Sequence, residues 1–178
     1  MALSSAAIVT RLAGHAPALA LDVPPIPAPA RACGRAVHFI DIENLCGTPH
    51  VRIFEAKRAM RDYHAAAQIA EGDHVIIASS HHNAIAAGTA WPGARLLAPK
   101  SGLNGADIAL REAIRTERIA ERFDVVCLAS GDGGFGDDLA FLAKGGAETH
   151  VFARKRSLSA ALRLAAHRVT TLPTASHA

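Results

Sequence analysis

Residues 37–45, VHFIDIENL, and residues 123–138, FDVVCLASGDGGFGDD, decide how this chain folds. Each is an apolar run about one strand long that ends on an aspartate, Asp41 in the first and Asp132 in the second. A carboxylate emerging from an apolar strand is costly unless a cation or a donor meets it. Two such exits therefore set the question of what lies at the carboxyl edge of the sheet.

Working outward, short apolar runs alternate with longer stretches of helical periodicity. Strands are expected over Val37–Ile42, His74–Ala78, Ala94–Leu97, Val125–Ala129, Thr149–Phe152 and Arg168–Thr171. Helices are expected over Ile53–Ala70, Asn83–Gly88, Gly105–Arg122, Phe135–Lys144 and Leu158–Ala166, with Gly145 and Gly146 as a stop and Ser157 as a cap. The stripe Leu158, Ala161, Leu162 and Ala165 marks the last helix as core-facing. This alternation predicts an α/β three-layer sandwich with a central, mainly parallel sheet. Ligands of such folds bind at the carboxyl ends of the strands.

Composition agrees with one domain of that kind. The chain has 178 residues, but residues 1–34 read as an Ala/Pro-rich tail in which Pro24, Pro25, Pro27 and Pro29 oppose regular structure. The domain is expected over 35–173, with a short C-terminal tail over 174–178. Half of the residues are hydrophobic but only 4% are aromatic, so the core must be built from Ala, Leu, Ile and Val. A formal charge of +3 suits a polyanionic partner without demanding one. Cys33, Cys46 and Cys127 show neither disulfide nor zinc spacing, which fits a reducing cytoplasm. No apolar run reaches membrane-spanning length, and the start lacks the basic region of a secretory signal. A homodimer is compatible with all of this.

A third acid comes from residues 100–114, KSGLNGADIALREAI, where a Gly-containing loop leads into a helix with Asp107 in its first turn. Asp137, in the first turn after the Gly-rich loop, is placed to face Asp132. Converging carboxylates repel one another, and hard divalent cations such as Mg2+ or Mn2+ resolve the conflict with oxygen ligands. Such an ion acidifies a bound water and neutralises a leaving oxygen, which makes phosphodiester hydrolysis the simplest chemistry. Glu43 and Asp138 read as solvated or supporting groups. No GxSxG motif occurs, and Cys127 lies inside an apolar strand, so no Ser or Cys nucleophile is indicated.

Residues 153–159, ARKRSLS, put Arg154, Lys155 and Arg156 past the fifth strand as a candidate phosphate clamp, with Lys100 on the same rim. Ser79, His81 and His82 follow the second strand, and Trp91 reads as packing.

The strings FIDIENL (39–45), NGADIAL (104–110), SGDGGFGDDLAFLAKGGAETHVFA (130–153) and SLSAALRLAAHRVTTL (157–172) resemble, in order and spacing, the NYN branch of the PIN-like nucleases. The resemblance covers about residues 36–172 and implies a Rossmannoid sheet, a Mg2+- or Mn2+-dependent endoribonuclease and RNA as partner. It gives Asp41, Asp107 and Asp132 the acid positions, Asn44 the polar position beside the first, and Ser130 the hydroxyl before the GD pair. One departure stands out: Gly134 occupies a position where many members carry a second acid, a role expected here of Asp137. If Asp137 does not fill it, the domain is an RNA-binding module with a weakened site. A lesser resemblance, of GDGGFGDD to the late motif of haloacid-dehalogenase phosphatases, lacks its first motif, because Asp41 is followed by Ile42 and Glu43.

Overall fold

The computed structural model describes residues 34–102 and 104–173, which lie in one compact unit. The expected tails over 1–34 and 174–178, with Cys33, lie outside the described residues except for Gly34.

The chain runs β1 (Ala36–Asp41), α1 (Ile42–Cys46), α2 (Ile53–Ala67), β2 (His74–Ala78), α3 (Ala84–Ala90) and β3 (Arg95–Leu96). It continues through α4 (Gly105–Thr116), α5 (Ile119–Arg122), β4 (Val125–Ala129), α6 (Gly136–Lys144), β5 (Glu148–Arg154), α7 (Ala160–Ala165) and β6 (Arg168–Leu172). The six strands form one sheet in the order β3-β2-β1-β4-β5-β6, and every pairing is parallel. The expected α/β sandwich is thus present, with a sheet that is wholly parallel.

Strand parity builds the two outer layers, because successive side chains point to opposite faces. Ala36 and Ile40 of β1 pack with Met60 and Tyr63 of α2 on one face. Val37 and Phe39 pack with Leu110 of α4 and Leu139 of α6 on the other. Burying a side chain such as Phe39, which is fully enclosed, contributes about 2–3 kcal/mol. His38 is the exception inside β1: it is fully buried, and its ring nitrogens meet Tyr63 Oη at 2.7 Å and Asp73 Oδ2 at 3.3 Å. The core carries no unmet polar group there.

Several boundaries differ from the sequence expectation, each for a local reason. Ile42 leaves β1 and starts α1, because Asp41 Oδ1 accepts the Asn44 N–H at 3.0 Å and caps a helical turn. The expected helix over 105–122 is two helices, broken where Arg118 takes a left-handed φ of 53° and Ile119 turns into the core. Ser159, not Ser157, caps α7, accepting the Leu162 N–H at 3.2 Å. Ala161 of the expected apolar stripe is exposed, while Leu162 is buried. Helix α6 ends at Lys144 as expected, with Gly146 at φ 95°. Trp91 is partly buried against the core and stacks at a tilt on His64. Among the described residues, no helix is long and apolar enough to cross a membrane.

Candidate functional site

From β1 the chain moves to β2 and β3 on one side, and from β4 to β5 and β6 on the other. The order therefore reverses between β1 and β4, and a crevice opens beyond their carboxyl ends. A cleft of about 690 Å³ lies there, lined by Asp41, Asp107, Asp132 and Glu43 among others.

Parity explains the meeting of the first two acids. Asp41 follows Val37 and Phe39 at two-residue steps, so it emerges on the face covered by α4, whose first turn carries Asp107. Asp41 is only 5% exposed. Burial, with Asp107 and Glu43 nearby, raises its carboxyl far above the usual carboxylate range, against the lowering effect of the Asn44 N–H. Asp107 is raised as well, first by burial and then by the charges of Asp132 and Glu43. The two carboxyl groups lie within hydrogen-bonding reach of each other and share the demand for one proton. Asp107 Oδ1 is nonetheless buried without a hydrogen-bond partner. A buried acceptor left in that state normally signals a missing donor or cation.

The cleft is held together by the loop residues around it. Asn44 Oδ1 accepts the Gly131 N–H at 2.9 Å and so ties the exit of β1 to that of β4. Gly131 has no room for a side chain: a Cβ would lie 2.3 Å from the Ser157 carbonyl oxygen. Its own carbonyl accepts the Ser159 N–H at 3.0 Å. Gly105, at the start of α4, is equally confined, with the Lys100 carbonyl oxygen 2.1 Å from where its Cβ would stand. Both glycines are therefore needed where α4 and the β5–α7 connection close over the acids.

The remaining expected residues divide between those brought to the cleft and those turned from it. Asp132 lines it but is exposed, and its Oδ1 accepts the Gly134 N–H at 2.7 Å, capping the turn at 133–135. Ser130 is buried, its Oγ accepts the Asp132 N–H at 3.2 Å, and the cleft lining does not include it. Asp137 is exposed and does not line the cleft. The reason is its neighbour: Asp138 is 1% exposed and accepts from Arg111 Nε at 2.8 Å and Arg115 Nε at 2.5 Å, clamping α6 to α4. Adjacent helical residues point about 100° apart, so Asp137 is turned away, and Asp138 is neither solvated nor supporting the acids.

The basic residues also part company. Lys100 folds onto Glu112 of α4, and the cleft lining does not include it. Arg154 Nε donates to the Leu45 carbonyl at 2.8 Å, bracing the end of α1 outside the cleft. Lys155 and Arg156 are exposed in the turn after β5, whose Ser157 reaches the cleft wall.

Sequence reasoning undervalued Glu43. Its Oε1 accepts from Ser80 N, Ser80 Oγ and Asn83 Nδ2 at 2.8, 2.7 and 2.7 Å, binding the exit of β2 to α1. His81 and His82 line the rim, His81 bonded to Ser101 Oγ at 3.0 Å and His82 to the Pro49 carbonyl at 2.8 Å. The dipeptide Ser79–Ser80 after β2 was the available signal for Ser80, because hydroxyls at a strand exit hold loops by bonding to their neighbours.

An ion fits the donor chemistry of this cleft only in part. Among the described residues, no group of three or more His, Cys, Asp or Glu side chains is gathered closely enough to hold a metal. A pair is present, Asp41 with Asp107, and Mg2+ is commonly held by one or two carboxylates while keeping several waters. The orphaned Asp107 Oδ1 is the feature that suits such an ion.

Compared with known proteins, the sequence matches no family profile and no curated protein. The fold is similar to that of a protein of unknown function from Vibrio parahaemolyticus, known from a crystal structure. The TM-score is 0.50 at 15% identity, over 80% of this chain and 96% of that one. The likeness bears on the fold alone.

Proposed function

We propose that the chain is a Mg2+- or Mn2+-dependent endoribonuclease of the NYN type, hydrolysing RNA at the crevice between β1 and β4. The observation that carries the reading is the pairing of buried Asp41 with half-buried Asp107, whose enclosed Oδ1 is unpartnered at a strand-order switch point. These two, with Asp132 at the rim, would hold the ion. When bound, it supplies an acidified water and neutralises charge on the phosphodiester. Asn44, Ser130 and Gly131 keep the strand exits together, while Lys155 and Arg156 stand at the same edge for phosphates of the substrate. A thiol nucleophile is not favoured: burial pushes the nearby Cys46 thiol up to about 12.

A second reading is favoured by the loose gathering of acids and by Asp137, which does not supply the ligand missing at Gly134. In it the domain binds RNA through a weakened site.

The test is cleavage of end-labelled single-stranded RNA with Mn2+, with Mg2+ and with a chelator, by the wild type and by Asp41→Asn, Asp107→Asn and Asp132→Asn. Chelator-sensitive cleavage lost in the first two variants supports the nuclease. Cleavage that persists equally in all variants comes from a contaminant and overturns it. RNA binding without cleavage selects the second reading.

A further inference from the structure

Next to the acidic cleft lies a smaller pocket of about 370 Å³ that no step above uses. Its wall carries Arg52, Arg58, Arg154 and His50, with Glu55 as the one carboxylate. The lining thus holds more guanidinium groups than carboxylates. The pocket and the cleft are neighbours on either side of one loop. Thr48 lines both, and the His50 ring on one side stands 5.2 Å from the His82 ring on the other. Gly47, at φ 72°, turns the chain out of α1 and brings it beside the Arg154 side chain.

The guanidinium groups come from two elements, β5 and the start of α2. Arg154 is the last residue of β5 and is anchored through Nε on Leu45. Arg58 is half-buried on α2, and Arg52 stands before its first turn, held by Glu55. A rigid fork of arginine donors is matched to phosphate oxygens.

We infer that this pocket binds a phosphate group of a nucleotide chain that passes over the Thr48–His50 ridge into the acidic cleft. The inference rests on the RNA reading above, yet it is tested by binding and not by cleavage. The ligand chemistry is a phosphate monoester or diester, supplied by a chain end or by the internal backbone.

The experiment measures fluorescence anisotropy of a labelled single-stranded RNA on the full chain, in chelator, across a salt series. Arg58→Gln and Arg154→Gln are expected to weaken binding roughly tenfold or more and to lower the slope of log K against log salt by about 0.7 for each phosphate no longer neutralised. Glu55→Gln keeps an acceptor for the Arg52 N–H, removes the opposing charge and is expected to tighten binding, a gain that misfolding cannot imitate. The same oligomer with a 5′-phosphate, a 3′-phosphate or neither assigns the source: equal affinities point to internal diesters, and a preference to the favoured end. Unchanged affinity and salt slope in all three variants would overturn the inference, as would a wild type that binds no RNA. If the wild type binds through the pocket yet cuts nothing with Mn2+, the nuclease reading falls and the pocket stands.

Discussion

Replacing Asp41 by Asn is expected to make the metal-free protein more stable at alkaline pH while removing its response to divalent cations. The carboxyl is enclosed against Asp107, and its ordinary value of 3.8 is pushed up to about 8, chiefly by burial. An acid whose folded value is raised stabilises the fold at low pH relative to high. The folded state holds a proton that the unfolded state gives up, so stability falls as pH climbs from about 4 through the folded value near 8. Each unit of difference is worth about 1.4 kcal/mol, so retaining only two units of the rise costs the metal-free fold about 3 kcal/mol by pH 8.

Asparagine is chosen because it keeps the contacts that are structural. Its side-chain oxygen still accepts the Asn44 N–H that caps α1, and Asn and Asp are equivalent caps. Its amide also offers a donor beside Asp107, which an ionised carboxylate does not. For a domain of this size about 3 kcal/mol moves the melting temperature by roughly 10 °C. Thermal melts at pH 5 and pH 8.5, with chelator and with Mn2+, read the effect. The wild type should lose stability between the two pH values and regain it with Mn2+, whereas the variant, left with the raised Asp107 alone, should lose less and gain little from Mn2+. Parallel pH slopes for both proteins, or an equal Mn2+ shift in the variant, would refute the argument that Asp41 is the proton-holding, ion-seeking member of the pair.

Three further substitutions separate scaffold from site. Gly131→Ala drives a methyl to 2.3 Å from the Ser157 carbonyl and is expected to cost about 3 kcal/mol, read as a lower denaturant midpoint, with the Mn2+ shift abolished because the acids no longer meet. Asp138→Ala removes the bonds to Arg111 and Arg115 and should cost about 2 kcal/mol while leaving the Mn2+ shift in place; loss of that shift would make Asp138 part of the site. Gly134→Asp sets a second carboxylate beside Asp132, its Cβ 3.2 Å from Asp132 Oδ1, and should tighten Mn2+ binding in calorimetry, with unchanged affinity showing that the position does not face the ion.

What could be read from the chain was what repeats along it. The strand cores of β1 and β4 are apolar at nearly every position because both faces are covered, and their exits on Asp41 and Asp132 follow directly. The position of Asp107 was legible because the Gly-containing loop before α4 fixes the helix start. Rotations about an axis were not legible. Whether Asp137 or Asp138 turns inward depends on Arg111 and Arg115, which sit on α4, 27 and 23 residues before Asp138. No local pattern records that partnership. Arg154 was misplaced for the same reason, since its partner Leu45 lies 109 residues away. Glu43 looked like a solvated acid because the donors that hold it come from the exit of β2.

These long-range ties also decide what kind of site the crevice is. Asp41 is buried by the parity of β1 and caps α1, and Asp107 stands half-buried in the first turn of α4, two residues after the close approach at Gly105. The third acid, Asp132, is exposed on a turn that it caps itself. A rigid pair beside an exposed third carboxylate suits an ion that assembles its full ligand set only when a phosphate arrives to complete it. On that argument metal and RNA should bind with positive cooperativity, since each supplies charge the other needs. Mn2+ titrations with and without a non-cleavable RNA analogue measure it: equal affinities would mean that the pair alone is the whole metal site.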